Sequence, residues 1–160
     1  MIFQHDTRDK PGKHGNVEDF LLANGHKVVR SKLYVGDITL LDRQSTCIDL
    51  KQDLTEVCGN LCQQHERFRA ELLRAQEAGI RLIILVEHGH GIRSMEDVER
   101  WKNPRARYSP GATTGAQLAK IMRTMAERYG IEWRFCDKKE TGREIIRALT
   151  EGERDGRVEV

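Results

Sequence analysis

The chain is poor in the features that mark several protein classes. With three prolines and 6% aromatic residues it is no proline-rich or low-complexity scaffold. No apolar run approaches the ~20 residues that a membrane-spanning helix needs. The opening "MIFQHDTRDKPGKHG" is polar from its fourth residue, unlike a secretory leader. Four cysteines, at 47, 58, 62 and 136, show no paired spacing, so reduced and mostly buried thiols in a cytoplasm are expected. Neither a glycine-rich phosphate loop nor a G-x-S-x-G elbow occurs, which leaves a small metabolic α/β enzyme without its usual signature.

What is present is a 160-residue chain, 38% hydrophobic and 32% charged, long enough for one domain with a full core. The net charge of +2 is unevenly spread. Residues 1–92 hold 12 Lys/Arg against 13 Asp/Glu, residues 93–147 hold 13 against 8, and the tail from 148 holds 2 against 4. A basic second half permits a nucleic-acid partner; a solvated charged surface explains it as well.

Periodicity gives the order β-α-β-β-β-α-β-α-β-α, an α/β domain with a mixed sheet. "MIFQHD" reads as a strand ending at Asp6, and "VEDFLLANG" as a helix after Asn16. "HKVVRSKLYVGDITLLD" and "STCIDLK" read as strands. Val57, Leu61, His65, Phe68, Leu72 and Ala75 predict one long helix from Leu54 to Gly79, with Gly59 as its weak point. "RLIILVE" is a buried strand, and "SMEDVERW" a short helix in the Gly/Pro/Arg-bearing segment 88–112. A helix, the strand "IEWRFC" and a last helix follow. Residues 1–150 are read as a single domain and 151–160 as a disordered tail.

The chemistry concentrates in "YVGDITLLDRQSTCIDLK". Side chains alternate along a strand, so Asp49 and Lys51 share one face while Ile48 and Leu50 take the other. Asp37 lies on the neighbouring strand. Carboxylates so placed are costly unless paired or bound to metal. The spacing matches the D…(D/E)-x-K pattern of restriction-endonuclease-like nucleases, although two surface carboxylates paired with a lysine would match it too.

More of the chain joins that match. "HDTRDK" resembles the D-x-R-E segment that opens the nuclease domain of the XPF family of structure-specific endonucleases. "YVGD" resembles that family's V-G-D strand, "IDLKQDL" its E-R-K-x-x-x-D-L segment, and "HERFRAELLRAQEAGIRLIILVE" the helix and strand that follow. The similarity spans about residues 2–88. It implies a restriction-endonuclease-like mixed sheet flanked by helices, and a Mg²⁺-dependent endonuclease acting on DNA in repair or recombination, with Mn²⁺ as a substitute. It further implies a minimal bacterial or phage-type form, cytoplasmic, partnered by DNA and by a second copy or a separate DNA-targeting subunit, with no membrane.

By the resemblance, Asp37, Asp49 and Asp6 hold the metal, Lys51 orients water or neutralises charge, and Glu18 supports them. Arg8, Arg69, Arg100, Arg105 and Arg107 are candidates for phosphate contact. The departures are specific: Asp49 stands for a glutamate, Leu50 for an arginine, Thr55 for the distal aspartate and Asp9 for the glutamate of D-x-R-E. They motivate an alternative, a nucleic-acid-binding domain of the same fold without catalysis. Cys58, Cys62 and His65 share a helix face that fits either a core seam or zinc. The segment 93–108 carries five Lys/Arg with Trp101 and Tyr108 interleaved, suiting either a phosphate-contacting surface or a structural cap.

Overall fold

A computed structural model describes residues 1–10, 12–14 and 16–155, with side chains through residue 152. Six strands form one sheet in the order β2-β1-β3-β4-β5-β6: β1 (Ile2–His5), β2 (Lys27–Arg30), β3 (Ile38–Leu40), β4 (Arg43–Lys51), β5 (Arg81–Val86) and β6 (Glu132–Phe135). β1 and β2 are parallel, β3 runs antiparallel to both β1 and β4, and β4, β5 and β6 are parallel. Among the described residues six α-helices flank the sheet: α1 (Val17–Ala23), α2 (Leu54–Cys62), α3 (His65–Glu77), α4 (Met95–Glu99), α5 (Gly115–Tyr129) and α6 (Thr141–Asp155). This is the mixed, helix-flanked sheet that the resemblance implies.

Strand alternation sorts the apolar residues into two cores. Cys47, Leu82, Ile84 and Val86 meet α2, α3 and α5 on one side. Ile48, Leu50, Ile83 and Leu85 meet Leu21 of α1 and Ile145 of α6 on the other. Asp49 and Lys51 therefore point to the α2–α3 side, where the sheet's packing opens at the end of β4.

Two expectations shift. The helix predicted over Leu54 to Gly79 is two helices, broken at Gln63 and Gln64 and not at Gly59. Both glutamine N–H groups bond back to the Gly59 carbonyl, which closes α2, and α3 restarts in a phase that keeps Phe68, Leu72 and Ala75 buried. The strand expected through Tyr34 to Asp37 begins only at Ile38, because Gly36 holds a positive φ of 77°. At the carboxyl end α6 continues to Asp155, through residues read from sequence as a tail; residues 156–160 lie outside the described residues.

Candidate active site

The turn before β3 builds the centre. A Cβ on Gly36 would lie 3.0 Å from the Ile48 carbonyl oxygen and 3.2 Å from Cys47 Cβ, so only glycine lets this turn lie against β4. The Asp37 N–H then donates to Ile48 O at 2.8 Å, and the Asp6 N–H to Asp37 O at 2.7 Å. Asp37 Oδ2 accepts the Leu50 N–H at 2.7 Å, which fixes the carboxylate beside β4. Asp37 and Asp49 lie close enough for each charge to act on the other.

The carboxylates at this centre act on one another. Burial and then the Asp49 charge push the Asp37 carboxyl well above its ordinary value. Asp49 is 5% exposed, and its Oδ2 is a buried acceptor without a hydrogen bond. Lys51 Nζ stands 3.1 Å from that oxygen, near enough for charge attraction but outside hydrogen-bond geometry. Burial works against the Lys51 ammonium, yet Asp49 holds its pKa above the ordinary value, and Nζ sits 5.3 Å from the Phe68 ring centroid.

Sequence reasoning missed Glu71. It projects from α3 into the same centre, where Oε1 accepts the Gly36 N–H at 3.0 Å. Burial and then the Asp49 charge raise its pKa. A cleft of about 490 Å³ opens here, lined by Lys51, Phe68, Glu71, Lys13 and Arg67. A signal was present: Glu71 sits three residues after Phe68 and four before Ala75, so this carboxylate lies on the buried stripe of its helix.

The other candidates separate. Asp6 is adjacent through the main chain, but Arg8 takes both its oxygens, with Nε at 3.0 and 3.1 Å and Nη2 at 2.5 Å. Glu18 is drawn elsewhere, to His5 Nδ1 and Arg30 Nε at 2.7 Å each. It belongs to a buried chain in which Asp9 Oδ2 meets His5 Nε2 at 2.7 Å, His14 Nε2 lies 3.3 Å from Asp9 Oδ1, His14 Nδ1 bonds Glu87, and Thr141 Oγ1 donates to Glu87 at 2.6 Å. Arg69 is exposed on α3 outside the cleft that Arg67 lines. Arg100, Arg105 and Arg107 line three adjoining depressions, the first and last sharing Trp101 and Lys102 and the last two sharing Asn103. Leu50 is 1% exposed in the α1–α6 core, so the residue replacing the family's arginine faces away from the carboxylates. Asp53, the acid nearest the family's missing aspartate, caps α2 by accepting the Glu56 N–H at 2.8 Å. All four cysteines are free thiols. Among the described residues no three His, Cys, Asp or Glu side chains converge in metal-holding geometry, and no helix is long and apolar enough to cross a membrane.

A family model described as "ERCC4 domain" matches residues 6–149. Two solved structures are similar in fold. "XPF from Aeropyrum pernix" superposes with a TM-score of 0.68 at 22% identity, and "XPF from Aeropyrum pernix, complex with DNA" with 0.66 at 21%. Each alignment covers 96% of this chain and 66% of the other, so this chain spans just under two thirds of those proteins' length. No curated protein matches.

Proposed function

The chain belongs to the ERCC4 domain family, and from that premise we propose that it is a divalent-metal-dependent endonuclease hydrolysing DNA phosphodiester bonds, with branched or flap DNA as its substrate. The observation that supports this reading is the Asp37–Asp49 pair, half-buried at Asp37 and buried at Asp49, in which the first carboxyl is pushed above its ordinary value and the second keeps an oxygen that makes no hydrogen bond and has only the Lys51 charge beside it. A cation between them relieves both. Two carboxylates fit Mg²⁺ or Mn²⁺, hard ions that commonly take one or two protein oxygens and leave the remaining positions to water and phosphate.

The bound cation supplies Lewis acidity toward the scissile phosphate and acidifies water. The chain's own residues do the rest. Asp37 is fixed by the Leu50 N–H, so its lone pairs are aimed before any ligand arrives. Lys51, held cationic beside Asp49 and braced on Phe68, orients the attacking water or meets the charge that develops on the phosphate. Asp6 anchors Arg8 and, through its N–H, the Asp37 main chain, while Glu71 ties α3 to the Gly36 turn. Arg67 and Lys13 flank the cleft as phosphate contacts.

Incubation with labelled duplex, fork, flap and single-stranded DNA in Mg²⁺, Mn²⁺ or EDTA tests the reading. Cutting of branched substrates that stops in EDTA is expected. Tight binding with no cutting in either metal would instead favour a non-catalytic DNA-binding role.

A further inference from the structure

A second opening lies outside the carboxylate centre. It forms where parallel β4, β5 and β6 run out, the end of an open α/β sheet at which ligands commonly bind. The cleft encloses about 1110 Å³, ample for a nucleotide-sized group. Gln52 and Asp53, immediately after Lys51, line its near edge.

Its charges are unbalanced by position. Lys102, Lys138 and Lys139 are exposed on its rim and make no ion pair among the described residues. Arg100 is 77% exposed and only 3.7 Å from Asp97. The acids facing the cleft are already engaged. Asp53 caps α2, Glu87 is buried against His14 and Thr141, Asp137 pairs with Arg93 at 2.7 Å, and Asp97 accepts the Arg93 N–H at 3.0 Å.

Two further features share this cleft. Trp101 is half-buried, with its ring edge-on to His88 at 6.3 Å and its Nε1 unbonded within the described chain. In the loop Gly89–Ile92, His90 has a φ of 62° and Gly91 one of 81°; among the described residues His90 is the only non-glycine with positive φ. None of that loop's backbone N–H groups finds a partner among the described residues. Successive free amides in such a turn make a concavity suited to phosphate oxygens.

We propose that this cleft binds an unpaired DNA strand, stacking a base on Trp101 and spreading its phosphates over Lys102, Lys138, Lys139 and the Gly89–Ile92 amides. The inference rests on the nucleic-acid reading of the carboxylate centre and adds a place for the strand that is not paired. A duplex hides its base faces and cannot stack on Trp101. Flexible lysines neutralise phosphates without reading base edges, so the site tolerates any sequence. Because the cleft begins next to Lys51, the strand it holds leaves the duplex near the bond to be cut.

The test is equilibrium binding of a labelled oligothymidylate and of a blunt duplex in Ca²⁺ without Mg²⁺, over several salt concentrations. The comparison sets wild type against the triple variant Lys102→Gln/Lys138→Gln/Lys139→Gln, whose exposed positions leave the fold intact, and against Trp101→Leu. We expect the triple variant to lose tenfold or more in single-strand affinity at low salt. Its slope of log affinity against log salt should fall by about 2, at about 0.7 per phosphate contact. Duplex binding should be unchanged, and the strand should quench wild-type tryptophan fluorescence but not that of Trp101→Leu. Equal losses on duplex and single strand would overturn the proposal, as would no loss at all. Thymidine monophosphate quenching Trp101 as strongly as the oligonucleotide would also overturn it, in favour of a free-nucleotide site. A protein that binds through the cleft but cuts nothing keeps this inference and loses the nuclease reading; one that cuts DNA with lysine-independent strand binding does the reverse.

Discussion

Glu71 makes the centre more acidic than a two-carboxylate site. It is half-buried beside Asp49 and held by the Gly36 N–H, so its charge would act on a cation bound by Asp37 and Asp49. Glu71→Gln keeps an acceptor for Gly36 and removes the charge. Mg²⁺ affinity should fall by about tenfold, a difference of about 1.4 kcal/mol, read by calorimetry on the DNA-free protein. Unchanged affinity with unchanged stability would reduce Glu71 to a structural tie. At this scale the sequence was most informative about Asp37, Asp49 and Lys51, because alternation along a strand fixes a two-residue offset without any tertiary knowledge. It could not show that Arg8 takes both oxygens of Asp6, since a ligand and an ion-paired turn acid look alike until the arginine is placed.

The elements are tied together by buried polar groups far apart in sequence. His14, from the loop before α1, lies between Asp9 and Glu87 at the end of β5, and Thr141 of α6 bonds the same Glu87. Burial disfavours the His14 cation, but the Asp9 carboxylate beside Nε2 and the Glu87 carboxylate bonded to Nδ1 outweigh it and raise its pKa to about 9. A raised folded-state pKa stabilises the fold fully below the unfolded value of about 6.5 and loses that contribution as pH rises through about 9. The shift corresponds to about 3 kcal/mol. Denaturant unfolding at pH 6 and pH 10 should show that much lost in wild type and a much flatter dependence in His14→Gln. Parallel pH profiles in the two proteins would refute the tether. Contacts spanning 73 residues left no trace in local pattern. The break at Gln63 and Gln64 was hidden for another reason: apolar spacing continues across it, and periodicity alone does not register a two-residue interruption.

Across the whole molecule, the mixed order β2-β1-β3-β4-β5-β6 brings β3 and β4 side by side and leaves the ends of three parallel strands open beyond them. One side carries the carboxylates and Lys51, while the strand ends carry Trp101 and the lysines that make no ion pair among the described residues. The element order and the two-faced core were legible in the sequence, because period-two and period-3.6 patterns fix faces. The path of 88–112 was not, because its Gly-, Pro- and Arg-bearing loops have no period. It places Arg100, Arg105 and Arg107 along three adjoining depressions. In the function we propose, the Asp37–Asp49 pair holds the cation with which this chain cuts DNA. The most direct test is Asp49→Asn, an isosteric change, assayed side by side with wild type for Mg²⁺ binding by calorimetry and for cleavage of a labelled flap substrate. We expect wild type to bind Mg²⁺ and cut, and the variant, folded by circular dichroism, to do neither. Cleavage by the variant at the wild-type rate would mean that Asp49 holds no cation needed for cutting.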